Sequence, residues 1–147
     1  MKKAKINPEN YLTFIPEFYH YNNAFINSEN VVIPNYIEMI QWGAYKDADK
    51  IKSVSIPGSV KVISPYAFYE CINLDEIKLE EGISAIGGSA FAYTNLSKEF
   101  IIPRSVSYIA DDAFDDVEDL HAVVYKDSYA HKWFMNSDAD ESVYEVI

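Results

Sequence analysis

Cysteine is almost missing from this chain: among 147 residues only Cys71 carries a thiol. No internal disulfide can form, and no cysteine-rich zinc knuckle is available. Glycine is scarce at 5 residues, and its one doublet, Gly87-Gly88, lacks the spacing of a phosphate-binding loop. No apolar run approaches the roughly 20 residues that span a bilayer, so no membrane insertion is expected. Basic side chains are few, 12 against 23 acidic for a net charge of −11. Nucleic acids and anionic lipids are held by clustered Lys and Arg, so neither is an expected partner. The imbalance is local: residues 1–110 carry 10 basic and 12 acidic groups, residues 111–147 carry 2 and 11.

A secretory leader is also not legible. Lys2, Lys3 and Lys5 are followed by Asn7, Pro8, Glu9 and Asn10 instead of an apolar core. The chain as written is expected in the cytoplasm, and at the cell surface or secreted if it is a fragment of a longer exported protein.

What the chain has in abundance is apolar and aromatic residues, 49% hydrophobic with 12 Tyr, 8 Phe and 2 Trp. That composition folds, and the length suits one domain. The aromatics are periodic. Ala67-Phe68 recurs as Ala90-Phe91 and Ala113-Phe114, and one step earlier as Ala44-Tyr45, each 23 residues apart. Val31, Val54, Ile77, Phe100 and Val123 form a second column; Ile40, Ile63, Ile86 and Ile109 a third; Ile33, Ile56, Leu79, Ile102 and Tyr125 a fourth. Leu96 comes one residue early, and Phe100 restores the period.

Each unit reads the same way. Val54-Ser55-Ile56 alternates as a short strand does, and Pro57 ends its ladder for want of an N–H. A turn at Gly58 leads to a second extended piece at Val60 to Ile63, then Ala67-Phe68 bends the chain, and Leu74 closes a turn of 3₁₀ or helical character. One such unit cannot bury its apolar side alone, so units must stack. The expected fold is a β-rich repeat solenoid of short parallel strands with a phenylalanine spine.

Residues 31–126 hold four repeats and a fifth strand row, and residues 127–147 a C-terminal cap. Asp127-Ser128 caps a helix with Tyr129, Ala130, Trp133 and Phe134 on one face, and Val143 to Val146 makes a last strand. Residues 1–30 read as an aromatic-rich cap, either a helix opening at Asn7-Pro8 or a compressed repeat containing Phe14-Ile15-Pro16 and Ala24-Phe25.

Units such as VSIPGSVKVISPYAFYECINLDEIKL and FIIPRSVSYIADDAFDDVEDLHAVVY resemble the BspA-type bacterial leucine-rich repeat, with I-P after the strand, S-V followed by I-x-x-x-A-F, and C-x-x-L before the next strand. The resemblance covers about residues 31 to 147. It implies a curved leucine-rich repeat solenoid, non-enzymatic, that binds proteins and, in exported members, serves adhesion.

No constellation for catalysis is legible. Cys71 shares its column with Ala48, Thr94 and Val117, which marks a packing position, and His20, His121 and His131 lie in other units with no metal spacing. Asp111-Asp112, Asp115-Asp116, Glu118-Asp119 and Asp138-Ala139-Asp140-Glu141 read as solvated turns, since the EF-hand pattern fails at Glu141. No cofactor and no metal is expected. The expected contact surface is the outward stripe Val32, Ser55, Lys78, Ile101 and Val124, or the aromatic N-terminal cap. A protein partner is the first reading; self-association through the N-terminal edge into a homo-oligomer is the second.

Overall fold

The computed structural model describes residues 11–12, 28–138 and 141–147. In chain order it contains β1 (Tyr11–Leu12), β2 (Asn30–Val32), β3 (Met39–Ile40), β4 (Ser53–Ile56), β5 (Val62–Ile63), β6 (Glu76–Leu79), β7 (Ala85–Ile86), β8 (Phe100–Ile102), β9 (Tyr108–Ile109), β10 (Ala122–Val124), helix α1 (Tyr129–Asn136), a 3₁₀ turn (Glu141–Val143) and β11 (Tyr144–Val146). Every strand pairing is parallel. The two-residue strands form one sheet in the order β1-β3-β5-β7-β9, and the longer ones form β2-β4-β6 and β8-β10-β11. Consecutive turns of a coil thus pair through both of their extended pieces, as the period demands: Val31 with Val54, Val54 with Ile77, Ile40 with Ile63 and Ile63 with Ile86.

The helical or 3₁₀ character expected before each strand takes the form of linked turns. Within a row, Ala67 N–H donates to Ser64 O at 3.2 Å and Cys71 N–H to Phe68 O at 3.2 Å. Alternate N–H groups point to the next row instead, Phe68 to Ala90 O at 2.8 Å and Phe91 to Ala113 O at 2.9 Å. A peptide can alternate this way only if intervening residues adopt left-handed backbone, and they do at Gly43, Asp47, Tyr66, Glu70, Ser89, Tyr93 and Asp116. Row-to-row bonds bring the repeated ring into register. Tyr45, Phe68, Phe91 and Phe114 stack with centroids 5.0, 5.3 and 5.6 Å apart and planes within 7° of parallel. The opposite corner is closed by glycine. A Cβ on Gly58 would overlap the Glu81 carbonyl of the following row, so the two turns nest only without one.

Two irregularities interrupt the register. Asp75 and Glu76 N–H both donate to Lys52 O, at 3.0 and 3.2 Å; in the next row Ser97 and Lys98 do the same to Asp75 O, at 3.3 and 3.1 Å, one residue earlier than the period requires. Glu99 is therefore extra before Phe100 resumes the inward column, and β6 and β8 are not paired. The second irregularity corrects the expected strand face. Leu74 is followed by an inward residue three positions on, at Ile77, whereas Leu120 is followed by one only two positions on, at Ala122. Ala122 then pairs with Phe100 and Val124 with Ile102. A one-residue shift moves each side chain to the other face, so Val124 lies in the core at 0% exposure and Val123 takes the outward position beside Ile101. Tyr125 likewise leaves the inward column and lies under Arg104, whose guanidinium is 4.2 Å from the ring centre.

The C-terminal cap forms as expected. Ser128 Oγ accepts from His131 N–H at 3.1 Å, which starts α1. Ala130 and Phe134 are buried, Trp133 partly so, and Tyr129 sits at the exposed edge of that face. Trp133 meets Phe114 edge-on at 6.3 Å and ends the ring stack. β11 then covers β10, with Tyr144 opposite Ala122. At the other end β1 pairs with β3, Tyr11 opposite Met39, which adds a row before the first complete repeat. The other N-terminal features, Asn7-Pro8, Phe14-Ile15-Pro16, His20 and Ala24-Phe25, lie outside the described residues.

Candidate functional site

Strand alternation puts Val32, Ser55 and Lys78 in one outward line, since they are mutual partners across β2, β4 and β6. Val32 is 67% exposed and Ser55 half-buried, and Lys78 reaches Glu80 at 3.7 Å. The Glu99 insertion breaks the line before Ile101, which is 43% exposed, and beyond it Val123 is buried at 4%. Of the residues expected in the stripe, Val32, Ser55, Lys78 and Ile101 take outward strand positions, with a break between Lys78 and Ile101, and Val124 does not. At the break Lys98 bridges Glu76 at 2.9 Å and Asp75 at 3.7 Å; its hydrogen bond to Glu76 and the charges of both acids hold its ammonium above the usual lysine pKa.

A second surface stands at the bends. The residues around the left-handed positions point away from the core, and in three successive rows they are aromatic: Trp42, then Tyr66 and Tyr69, then Tyr93. Their rings touch in sequence, with centroids 5.5, 5.2 and 5.4 Å apart and planes inclined by 52°, 63° and 72°. Trp42 is 52% and Tyr93 45% exposed. Lys46 lies alongside, its Nζ 5.3 Å from the Tyr69 ring centre. Two of the rings occupy costly backbone, Tyr66 at φ 60° and Tyr93 at φ 58°. The same columns hold Gly43 and Ser89 around Tyr66, and Asp47, Glu70 and Asp116 around Tyr93, of which Gly43, Asp47 and Asp116 suit that conformation better than a tyrosine does.

The file runs into an acidic groove between the last bend and α1. Tyr93 N–H donates to Asp115 O at 3.0 Å, and the Asp116 carboxylate, through hydrogen bonding and then its charge, raises the pKa of the Tyr93 phenol. Desolvation and Glu70 raise that of Tyr69. The groove encloses about 860 Å³. Phe114 and Trp133 line it, with Asp111, Asp115, Asp116 and Glu118 among its acids and Lys132 as its basic residue.

Cys71 lies away from either surface. It is fully buried, its thiol donates to Tyr45 O at 3.0 Å, and burial pushes its pKa up to about 12. A nucleophilic cysteine needs the opposite shift. Because folding favours the neutral thiol, the stability it contributes is complete below the ordinary thiol value of 9.0 and is lost as pH rises through about 12. Denaturant titrations from about pH 8 to about pH 11 should show a loss roughly 2 kcal/mol smaller in Cys71→Ala than in the wild type, whatever the baseline cost of the substitution. Parallel curves for the two proteins would contradict the assignment.

One group with metal-ligand chemistry comes together among the described residues. Glu99, His121 and Glu145 bring ligand atoms within 4.8 Å of one another at the outward end of β8, β10 and β11. His121 Nε2 is 3.9 Å from Glu99, a geometry that an ion pair with the protonated ring satisfies equally well. Sequence spacing hid the trio because its members come from three different rows, and because the 23-residue period sets Glu99 against Ala122; only the one-residue slip at β10 brings His121 beside it. The aromatic file was hidden for the same reason. His131 spends Nδ1 on Asp127 N–H at 3.1 Å and belongs to the helix cap.

The BspA type leucine rich repeat region matches this chain in six copies over residues 5–137. No curated protein sequence matches it. Among solved structures, a leucine rich cell surface protein from Faecalibacterium prausnitzii is similar at a TM-score of 0.60 and 27% identity, covering 67% of this chain and 26% of that one. A leucine-rich repeat protein from Bacteroides ovatus gives a TM-score of 0.48 at 24% identity, covering 65% and 33%. The chain thus spans about a quarter to a third of the length of these proteins.

Proposed function

Because the chain belongs to the BspA-type leucine-rich repeat family, we propose that it is a non-enzymatic module that binds another protein, with the aromatic file at its bends as the contact surface. One observation carries this: Tyr66, half-buried, and Tyr93, exposed, hold rings on left-handed backbone where sibling rows use Gly43 and Ser89, or Asp47, Glu70 and Asp116. A non-glycine residue there costs about 1–2 kcal/mol, and backbone cost of this kind concentrates at functional surfaces. The strand-face residues Val32, Ser55, Lys78 and Ile101 supply a second contact area, because Val32 and Ile101 are exposed aliphatics on rigid strands. The similar solved structure is a cell surface protein, which supports a surface role with adhesion among its uses.

The test is the double variant Tyr66→Gly, Tyr93→Asn. Relief of backbone strain offsets the lost ring contacts, so its stability should stay within about 1 kcal/mol of the wild type. Affinity for a partner protein identified by capture on the immobilised chain should fall about tenfold or more. Undiminished affinity would remove the bend surface from the function.

A further inference from the structure

We propose that the aromatic file and the acidic groove beside it form one binding surface for an extended, lysine- or arginine-rich segment of a partner protein. The proposal rests on the protein-binding reading above and names the chemistry of the partner.

Shape comes first. The four rings are mutually inclined by 52°, 63° and 72°, so they offer no flat platform on which a sugar chain or a row of bases could lie. They offer separate faces and edges, and a ring face attracts a cation within about 6 Å of its centre. One cation already uses such a face: the Lys46 ammonium, 5.3 Å from the centre of Tyr69.

Charge is complementary to the same ligand. Asp47 and Glu70 flank the rings in their own rows, and Asp115 and Asp116 end the file at Tyr93. The groove continues this field with Asp111, Glu118 and Asp138 at its walls and Lys132 as its basic residue. An anionic segment would meet net repulsion, because these carboxylates outnumber Lys46 and Lys132. A basic one finds carboxylates for its charged heads, and rings at Phe114 and Trp133 against which the aliphatic stems of Lys or Arg can lie. Continuity completes the case, since Tyr93 N–H donates to the carbonyl of Asp115, which also lines the groove together with Asp116.

Fluorescence anisotropy of the whole chain with a labelled peptide of alternating Arg and Gly tests this, against a matched Glu-Gly peptide and a neutral cello-oligosaccharide. The Arg peptide should bind saturably, the other two should not, and about 0.5 M salt should weaken binding substantially. Tyr69→Ala with Tyr93→Asn should weaken it about tenfold while melting stays cooperative. Lys46→Gln, which removes the competing internal ammonium, should tighten it about threefold. Weaker binding in Lys46→Gln, indifference to the ring variants, or preference for the oligosaccharide would each overturn the proposal. If the Arg peptide fails while Tyr66→Gly, Tyr93→Asn still costs the captured protein partner its affinity, the cationic assignment falls and the protein-binding reading stands.

Discussion

Replacing Phe91 with alanine is expected to cost about 3–5 kcal/mol and to lower the melting temperature by roughly 10 °C. Phe91 is fully buried and stacks on both sides, on Phe68 at 5.3 Å and on Phe114 at 5.6 Å. Its removal leaves a cavity between rows that cannot collapse, because the rows on both sides are held at strand spacing by the β5-β7-β9 ladder and by backbone bonds along the bends. Stability in such an array is carried largely by contacts between neighbouring units, so the effect should reach the whole cooperative transition. Phe91→Leu refills most of the volume and should cost much less. A thermal denaturation series in which alanine and leucine behave alike would show that the stack contributes little.

The second large effect concerns the strand register at β10. Val124→Asp should destabilise the fold by more than about 4 kcal/mol, since it buries an unpaired carboxylate. Ile101→Asp, in the neighbouring row, should change stability by less than about 0.5 kcal/mol, because that side chain already faces solvent. Urea titrations of the two variants separate the registers. Had Val124 faced outward, as the strict period implies, the two would behave alike.

The two predictions differ in what made them legible. Phe91 could be assigned to the spine from sequence, because a ring recurring after Ala at a fixed interval has one consistent place in a stacked coil. Cys71 was legible as well: its column mates Ala48 and Thr94 are buried like it, and the thiol is held neutral against Tyr45 O. Val124 was not. The period predicts a face only while it holds, and the shortening between Leu120 and Ala122 cannot be told from the pattern alone, since Val123 and Val124 are both apolar and fit either side.

The candidate site was less legible still. Trp42, Tyr66, Tyr69 and Tyr93 do not share one column, so no repeat alignment groups them. They meet because bends of successive rows stack about 5 Å apart and because left-handed backbone at Tyr66 and Tyr93 turns those side chains outward. Glu99, His121 and Glu145 converge across three rows by the same stacking.

Alone, the sequence determined the solenoid, its 23-residue period, the phenylalanine spine, the inert thiol and the capping helix. Each follows from side-chain type and spacing, which are local properties of the chain. Tertiary structure decided where the register slips, which face Val124 takes, and which aromatics and carboxylates become neighbours. Those outcomes depend on row-to-row pairing, and one inserted or missing residue between strands reassigns a face without altering the apolar pattern that a reader of the sequence can see.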